Sequence, residues 1–109
     1  MAEELHGLAG QTAGLVAIQP GSVVSRTVLE GEGGSVTLFA FGAGQGLSEH
    51  TSTKHALVHM LEGRARYTLG GEAFEAAAGD MVVMPANVPH ALYAQQDEGF
   101  KMLLCLVRP

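Results

Sequence analysis

The sequence predicts an all-β fold, either a sandwich or a barrel, and three observations lead to that prediction. Short apolar segments alternate with turn signals along most of the chain, at the spacing typical of small β domains. Helical periodicity is nearly absent, and only residues 2–9, AEELHGLA, favour a helical turn or two. The chain has 109 residues, 47% of them hydrophobic and 16% charged, which suffices for a single domain with one sizeable core.

The strands follow in chain order after a weakly patterned N-terminal segment at residues 1–13, and residues 14–109 are expected to form one domain. The predicted strands are Gly14–Ile18, Val23–Leu29, Ser35–Phe41, Ala56–Leu61, Arg64–Leu69, Ala73–Ala76, Met81–Met84, His90–Ala94 and Phe100–Val107. Residues 64–69 alternate regularly, and Gly70-Gly71 supplies the positive φ angles of a two-residue hairpin turn.

Two predicted strands are apolar on both faces. Residues 36–41, VTLFAF, and residues 102–107, MLLCLV, carry large apolar side chains at both parities. A core on one side and a second copy of the chain on the other would cover such strands, so a homodimer is expected. Cys105, within the second stretch, is predicted to be a buried small hydrophobe, and a single cysteine allows no disulfide within one chain.

Charge and composition weigh against several classes of function. The formal net charge is −5 and no Lys/Arg cluster is present, so neither nucleic acid nor an anionic membrane is an expected partner. The N-terminus is acidic, without a long apolar stretch, and a cytoplasmic protein is expected. The glycine-rich loop FGAGQG, residues 41–46, lacks the Lys-Ser/Thr that a phosphate-binding loop requires.

Four of the five histidines, residues 50, 55, 59 and 90, follow the glycine-rich loop. Neutral imidazole is a common metal ligand and also a good hydrogen-bonding group. In a regular strand at residues 56–61, Ala56, Val58 and Met60 face one side, whereas His55 and His59 face the other.

Residues 46–72, GLSEHTSTKHALVHMLEGRARYTLGGE, and residues 79–92, GDMVVMPANVPHAL, resemble the two motifs of the cupin superfamily, GxxxxxHxHx(3 or 4)ExxxxxxG and GxxxxxPxGxxHxxxN. In the second motif Gly79, Pro85 and His90 match, and Asn87 replaces a glycine. Asn tolerates the left-handed conformation best among non-glycine residues. The resemblance implies an all-β double-stranded β-helix, a jelly-roll barrel of the cupin 2 type.

The first motif matches only in part. Its first histidine falls on His50, but the second falls on Ser52 and the glutamate falls on Ala56. Ala94 stands where the second motif ends in asparagine. In cupins with the full pattern, three histidines and the glutamate hold a divalent metal inside the barrel, and small one-domain cupins commonly pair as homodimers.

The resemblance implies a site inside the barrel. His50 and His90 inherit the metal-ligand role, and His55, next to the vacant glutamate position, is a third candidate for a divalent Fe, Mn, Zn or Ni ion. The alternative for His50 and His90 is a hydrogen-bonding role in the cavity without metal; His59 is expected at the surface or a subunit interface. The expected ligand pocket comprises Ser52, Ala56, Val58, Met60 and Leu92.

The resulting functional hypothesis is a barrel that binds a small organic molecule, with or without a divalent metal. The alternative is a metal-dependent oxygenase or isomerase that acts on a small organic substrate. The sequence assigns no catalytic residue, because no side chain orients a serine–histidine pair and the carboxylates fall at loop, hairpin or strand-end positions.

Overall fold

In residues 10–109, which the computed structural model describes, nine β-strands form two antiparallel sheets. The strands are β1 (Val23–Gly31), β2 (Gly34–Phe41), β3 (Gly46–His50), β4 (His55–Glu62), β5 (Arg64–Leu69), β6 (Glu72–Ala77), β7 (Met81–Met84), β8 (His90–Ala94) and β9 (Phe100–Val107). The five-stranded sheet has the order β1-β2-β9-β4-β7, and the four-stranded sheet has the order β3-β8-β5-β6. This is the predicted all-β barrel.

The main core lies between the two sheets. Phe41 and Phe100, paired across β2 and β9, stack with ring centroids 4.5 Å apart. Tyr67 and Leu92, paired across β5 and β8 of the other sheet, are also buried. Large apolar side chains from both sheets therefore fill the interior at one end of the barrel.

Strand β4 shows the predicted alternation. Ala56, Val58 and Met60 are buried inside the barrel, whereas His55 and His59 are exposed on the outer face. The parity of this strand was therefore correctly predicted from its sequence.

The outer face of the five-stranded sheet carries a second, smaller core. Leu38 and Ala40 of β2 pack there against Val16, in the segment of residues 12–18 that precedes β1. Two side chains hold this segment in place: Arg26 Nη1 donates to the carbonyl of Leu15 at 3.1 Å, and Lys101 Nζ donates to the carbonyl of Ala13 at 2.7 Å. Part of the face that the sequence assigned to a partner subunit is thus covered by the chain itself.

The predicted strand at Gly14–Ile18 is wrong. Thr12–Leu15 forms a short 3-10 helix, and the residues after it pack onto the outer face of the sheet without entering it. Apolar residues in a short segment indicate burial, but they do not reveal whether a strand edge is available for pairing. The helical turn predicted at residues 2–9 lies outside the described residues.

Strand β3 is missing from the sequence prediction. The glycine-rich loop predicted at residues 41–46 is shorter than expected, and the strand begins at Gly46. Only a glycine fits there, because a Cβ at this position would overlap the Leu92 carbonyl oxygen and the Tyr93 ring. Leu47 is half-buried and the last three residues of the strand are exposed, so the strand lacks the apolar alternation by which strands are recognised.

Other turns form as predicted. Gly70 and Gly71 both have positive φ, 58° and 89°, in the hairpin between β5 and β6.

Cys105 is half-buried on the outer face of β9 rather than fully buried. Within residues 10–109, no helix has the length and apolar character needed to cross a membrane.

Candidate functional site

The structure brings His50 and His90 together at one end of the barrel. His50 ends β3 and His90 begins β8, and the two residues are partners across these antiparallel strands. Their rings meet edge to face, with centroids 4.3 Å apart and an interplanar angle of 68°. His90 is only 5% exposed, whereas His50 is exposed. The cross-strand register thus produces the pair expected from the sequence.

The turn between β7 and β8 fixes the direction in which the chain reaches His90. Asn87 is the only non-glycine residue of the described chain with positive φ, 68°, as its place in the motif predicts. Its backbone N–H donates to the carbonyl of Ser52 at 2.8 Å, which ties the turn to the β3–β4 connection. Pro89 accepts a hydrogen bond from the Gly70 N–H at 2.9 Å. These two hydrogen bonds, on Asn87 and on Pro89, hold the backbone just before His90 in place.

Both imidazoles make the same local hydrogen bond. His50 Nδ1 lies 2.7 Å from the carbonyl oxygen of Ser48, and His90 Nδ1 lies 3.1 Å from that of Val88, in each case two residues earlier. A carbonyl oxygen can only accept, so each Nδ1 carries the proton. In the neutral rings each Nε2 keeps its lone pair, free to accept a hydrogen bond or to bind a metal.

The histidine pair lines a cavity of about 500 Å³. Apolar side chains from both sheets form most of its wall, and hydroxyl groups of the β3–β4 connection form one side. The lining residues are Leu47, His50, Thr51, Ser52, Thr53, Ala56, Met84, His90, Leu92, Met102, Leu104 and Leu106. This lining contains no Asp, Glu, Lys or Arg, so the two imidazoles are its only titratable groups.

Three of the five predicted pocket residues line this cavity. They are Ser52, Ala56 and Leu92. Val58 and Met60 point into the barrel as expected, but they are fully buried in the core below the cavity. Parity alone identifies the inward face of β4, but it does not divide that face into cavity and core.

Three apolar parts of the wall are absent from the predicted pocket. They are Leu47 of β3, Met84 at the end of β7, and the inward face of β9, formed by Met102, Leu104 and Leu106. Alternation along β9 is a usable signal, since these residues share one parity. The signal was obscured because the other parity of this strand is apolar as well.

His55 lies apart from the pair. It is exposed on the outer side of β4, and its Nδ1 accepts a hydrogen bond from the Ala86 N–H at 2.9 Å. The strand is regular at this end, with His55 paired to Val107 and Ala56 paired to Leu106, so no bulge turns His55 inward. His55 therefore lies on the outer face of the five-stranded sheet, away from the cavity that His50 and His90 of the other sheet line.

The side chains around the pair do not form the ligand set of a divalent cupin site. Among residues 10–109, no group of three or more His, Cys, Asp or Glu side chains is arranged to hold a metal ion. Ala56 and Ser52 occupy the positions of the missing glutamate and histidine, and the Ser52 hydroxyl accepts a hydrogen bond from the Lys54 N–H at 3.1 Å. Two imidazoles fall short of the three protein ligands typical of an open divalent site.

A tyrosine lies in the core beside the cavity. The Tyr67 hydroxyl donates to the sulfur of Met60 at 3.3 Å and lies 3.6 Å from that of Met102. Desolvation by burial raises the pKa of this phenol well above its usual range. Tyr67 is therefore neutral at physiological pH and acts as a packing residue with a satisfied hydroxyl.

Comparison with known proteins agrees with this geometry. The family model described as "Cupin domain" matches residues 35–107, and the chain therefore belongs to the cupin superfamily, in its cupin 2 type. An uncharacterised protein of Methanocaldococcus jannaschii is 33% identical over 57 residues, which are 52% of this chain and 46% of that protein. This chain thus matches about half the length of that relative.

Two solved structures share the fold. A conserved protein of unknown function from Streptococcus pyogenes is 39% identical, with a TM-score of 0.79 over 85% of this chain and 80% of the other. A cupin superfamily protein from Desulfitobacterium hafniense has a TM-score of 0.85 over 91% of this chain and 89% of the other, at 24% identity. The fold is thus the cupin double-stranded β-helix.

Proposed function

We propose that the barrel cavity binds a small organic molecule that is largely apolar and carries one hydrogen-bond donor. The pairing of His50 and His90 carries this proposal, because it places two Nε2 lone pairs at a mostly apolar wall. Pockets with a mostly apolar lining and a few convergent polar groups are typical of small-molecule sites. The volume, about 500 Å³, lies in the range of such sites.

The tautomers define the polar group that fits. With both Nδ1 protons committed to backbone carbonyls, neutral His50 and His90 offer acceptors only. A hydroxyl, an amide N–H or an ammonium can donate to Nε2 of the buried His90, whereas an ether leaves this nitrogen without a partner. An unmade hydrogen bond of this kind costs about 1–3 kcal/mol.

Matched ligand pairs test this function. We expect p-cresol to bind in a saturable manner and to shift the backbone amide NMR signals of β3, β8 and the β7–β8 turn. Its methyl ether, 4-methylanisole, should bind at least about fivefold more weakly because it cannot donate. The double variant His50→Ala/His90→Ala, which lacks both acceptors, should bind both compounds equally.

Two further pairs, hexanol with its methyl ether and hexanamide with N,N-dimethylhexanamide, extend the test to aliphatic ligands, and in each pair only the first compound can donate. If no donor of the three pairs binds, or if the shifted amides lie outside the cavity, the proposed function is wrong. Equal affinity of each donor and its methylated form for the wild type would refute the acceptor role of the histidines.

The metal-dependent oxygenase or isomerase of the sequence analysis is the weaker candidate. Its divalent ion needs a third protein ligand, and the described residues supply only the two imidazoles. Metal analysis of the untagged protein after incubation with Fe(II), Mn(II), Zn(II) or Ni(II) decides between the candidates. Stoichiometric divalent metal that disappears in His50→Ala and His90→Ala would favour the enzyme.

We also propose that the chain forms a homodimer through the uncovered part of the outer face. An apolar row crosses all five strands of the larger sheet, with neighbours in register: Leu29, Val36, Cys105, Leu57 and Val83. At the usual strand spacing this row spans roughly 19 Å. Leu29 is 64% exposed and Val83 53% exposed, which is high for large apolar side chains.

A second copy of the chain can cover this row on a two-fold axis, because the row then packs against itself. We expect a dimer by sedimentation analysis and a monomer for Val83→Asp. The control Ala73→Asp, which adds the same charge at an exposed position of the four-stranded sheet, should remain a dimer. A monomeric wild type, or a dimeric Val83→Asp variant, would contradict the proposal.

A further inference from the structure

The cavity contains sulfur as well as nitrogen donors. Met84 and Met102 line it together with His50 and His90. Imidazole nitrogen and thioether sulfur are both neutral ligands, so this lining can coordinate a metal ion without neutralising its charge.

Met84 is the better placed of the two sulfurs. It is the partner of Ala56 across β4 and β7, and directly paired residues point to the same face of a sheet. Ala56 stands where the cupin pattern has its acidic metal ligand. Met84 therefore occupies the strand position next to a ligand position, whereas Met102 lies beside the Tyr67 hydroxyl.

The charge of the ion decides which metals such a site can hold. The cost of moving an ion from water into an apolar cavity rises with the square of its charge, so a divalent ion with neutral ligands pays about four times the penalty of a monovalent one. Soft thioether ligands select Cu(I) among the biological metals, and imidazole also binds copper well. The donor set thus favours a soft monovalent ion over the divalent ions usual for cupins.

We propose that the cavity binds Cu(I) through Nε2 of His50, Nε2 of His90 and the sulfur of Met84. The proposed function concerns an organic ligand that donates a hydrogen bond, whereas this proposal concerns a metal ion. Both use the histidine pair. Each Nε2 is free for the metal because the Nδ1 proton of each ring bonds to a backbone carbonyl.

The test is anaerobic competition for Cu(I) between the full-length, untagged protein and the chelator bicinchoninate. A Cys105→Ala background is used, because a thiol would bind Cu(I) by itself. We expect one equivalent of Cu(I), bound more tightly than Zn(II) measured by competition with a zinc chelator.

Met84→Leu keeps the volume and apolar character of the side chain and removes the sulfur. We expect it to weaken Cu(I) binding more than about tenfold, as expected for the loss of one ligand. Met81→Leu is the matched control, since Met81 lies on the same strand, faces outward and is 65% exposed; its affinity should equal that of the wild type.

X-ray absorption of the Cu(I) complex, recorded in the same Cys105→Ala background so that no thiol contributes, gives a second readout that does not depend on affinity. It should show a sulfur scatterer bonded to copper, and Met84→Leu should lack it. Nitrogen-only coordination, equal affinities of Met84→Leu and the wild type, or tighter binding of Zn(II) than of Cu(I) would overturn the proposal. None of these outcomes changes the p-cresol titration, so failure of the copper site and failure of the proposed function are separable.

Discussion

Replacing Ala56 with glutamate tests whether the barrel retains the geometry of a cupin metal site. Ala56 lines the cavity together with His50 and His90, at the position where the cupin pattern has its acidic ligand. Ala56→Glu would create a set of two histidines and one carboxylate, which suits Fe(II) and related divalent metals. We therefore expect the variant to gain stoichiometric divalent metal binding that the wild type lacks.

The expected magnitudes follow from burial. Position 56 is only 4% exposed, so without metal the new carboxylate loses much of its hydration at a cost on the order of 2 kcal/mol. Metal at a hundred times its dissociation constant stabilises the folded variant by about 2.7 kcal/mol. For a domain of this size 1 kcal/mol corresponds to about 4–8 °C in Tm. The Tm of metal-free Ala56→Glu should therefore lie roughly 10 °C below that of the wild type, and metal should raise the Tm of the variant by roughly 15 °C.

The assay is calorimetric thermal unfolding with and without Mn(II), Zn(II) or anaerobic Fe(II), together with metal analysis. Ala56→Gln is the control, because glutamine has nearly the same shape without the charge. The reasoning fails if Ala56→Glu folds but takes up no metal, or if Ala56→Gln is stabilised by metal to the same extent.

Three further predictions concern stability. Gly46→Ala should lower the free energy of unfolding by about 2 kcal/mol or more in chemical denaturation, because the new methyl group overlaps the Leu92 carbonyl; unchanged stability would show that β3 lies elsewhere. Lys101→Met should cost about 1–2 kcal/mol and make the segment of residues 12–18 sensitive to protease, because it removes the charged donor to the Ala13 carbonyl; wild-type resistance would contradict that contact. The raised pKa of Tyr67 means that the folded state holds this proton at pH values where the unfolded chain loses it, so its contribution is fully present below pH about 10 and falls by about 1.4 kcal/mol per pH unit above. Tyr67→Phe should remove that alkaline slope in denaturation measured at several pH values, and an unchanged slope would assign it to another group.

Local conformational rules made part of this molecule predictable from its sequence. Asn87 was expected in the left-handed region because it replaces a motif glycine, and it adopts φ 68°. Gly70 and Gly71 were expected to form the hairpin turn, and Ala56 was expected to point inward; the structure confirms both. In each case the signal lies within a few neighbouring residues.

The rest depends on contacts between distant segments. Strand β3 exists because it pairs with β8, although its own residues after Gly46 have little apolar pattern. Residues 12–15 form a 3-10 helix because they find a sheet face to cover rather than a strand edge to pair with. The contribution of Met84 to the cavity follows from its register against Ala56, which no local pattern encodes.

The state of the two imidazoles tests the central claim most directly, because both proposals require free Nε2 lone pairs at one cavity. Ring nitrogen chemical shifts, measured by long-range ¹H–¹⁵N NMR correlation on the full-length protein above the histidine titration range, report the tautomer of each histidine. The account predicts protonated Nδ1 and unprotonated Nε2 for both His50 and His90, with both Nε2 signals shifting on addition of p-cresol. A protonated Nε2 on either ring, or Nε2 signals that do not respond to p-cresol, would contradict it.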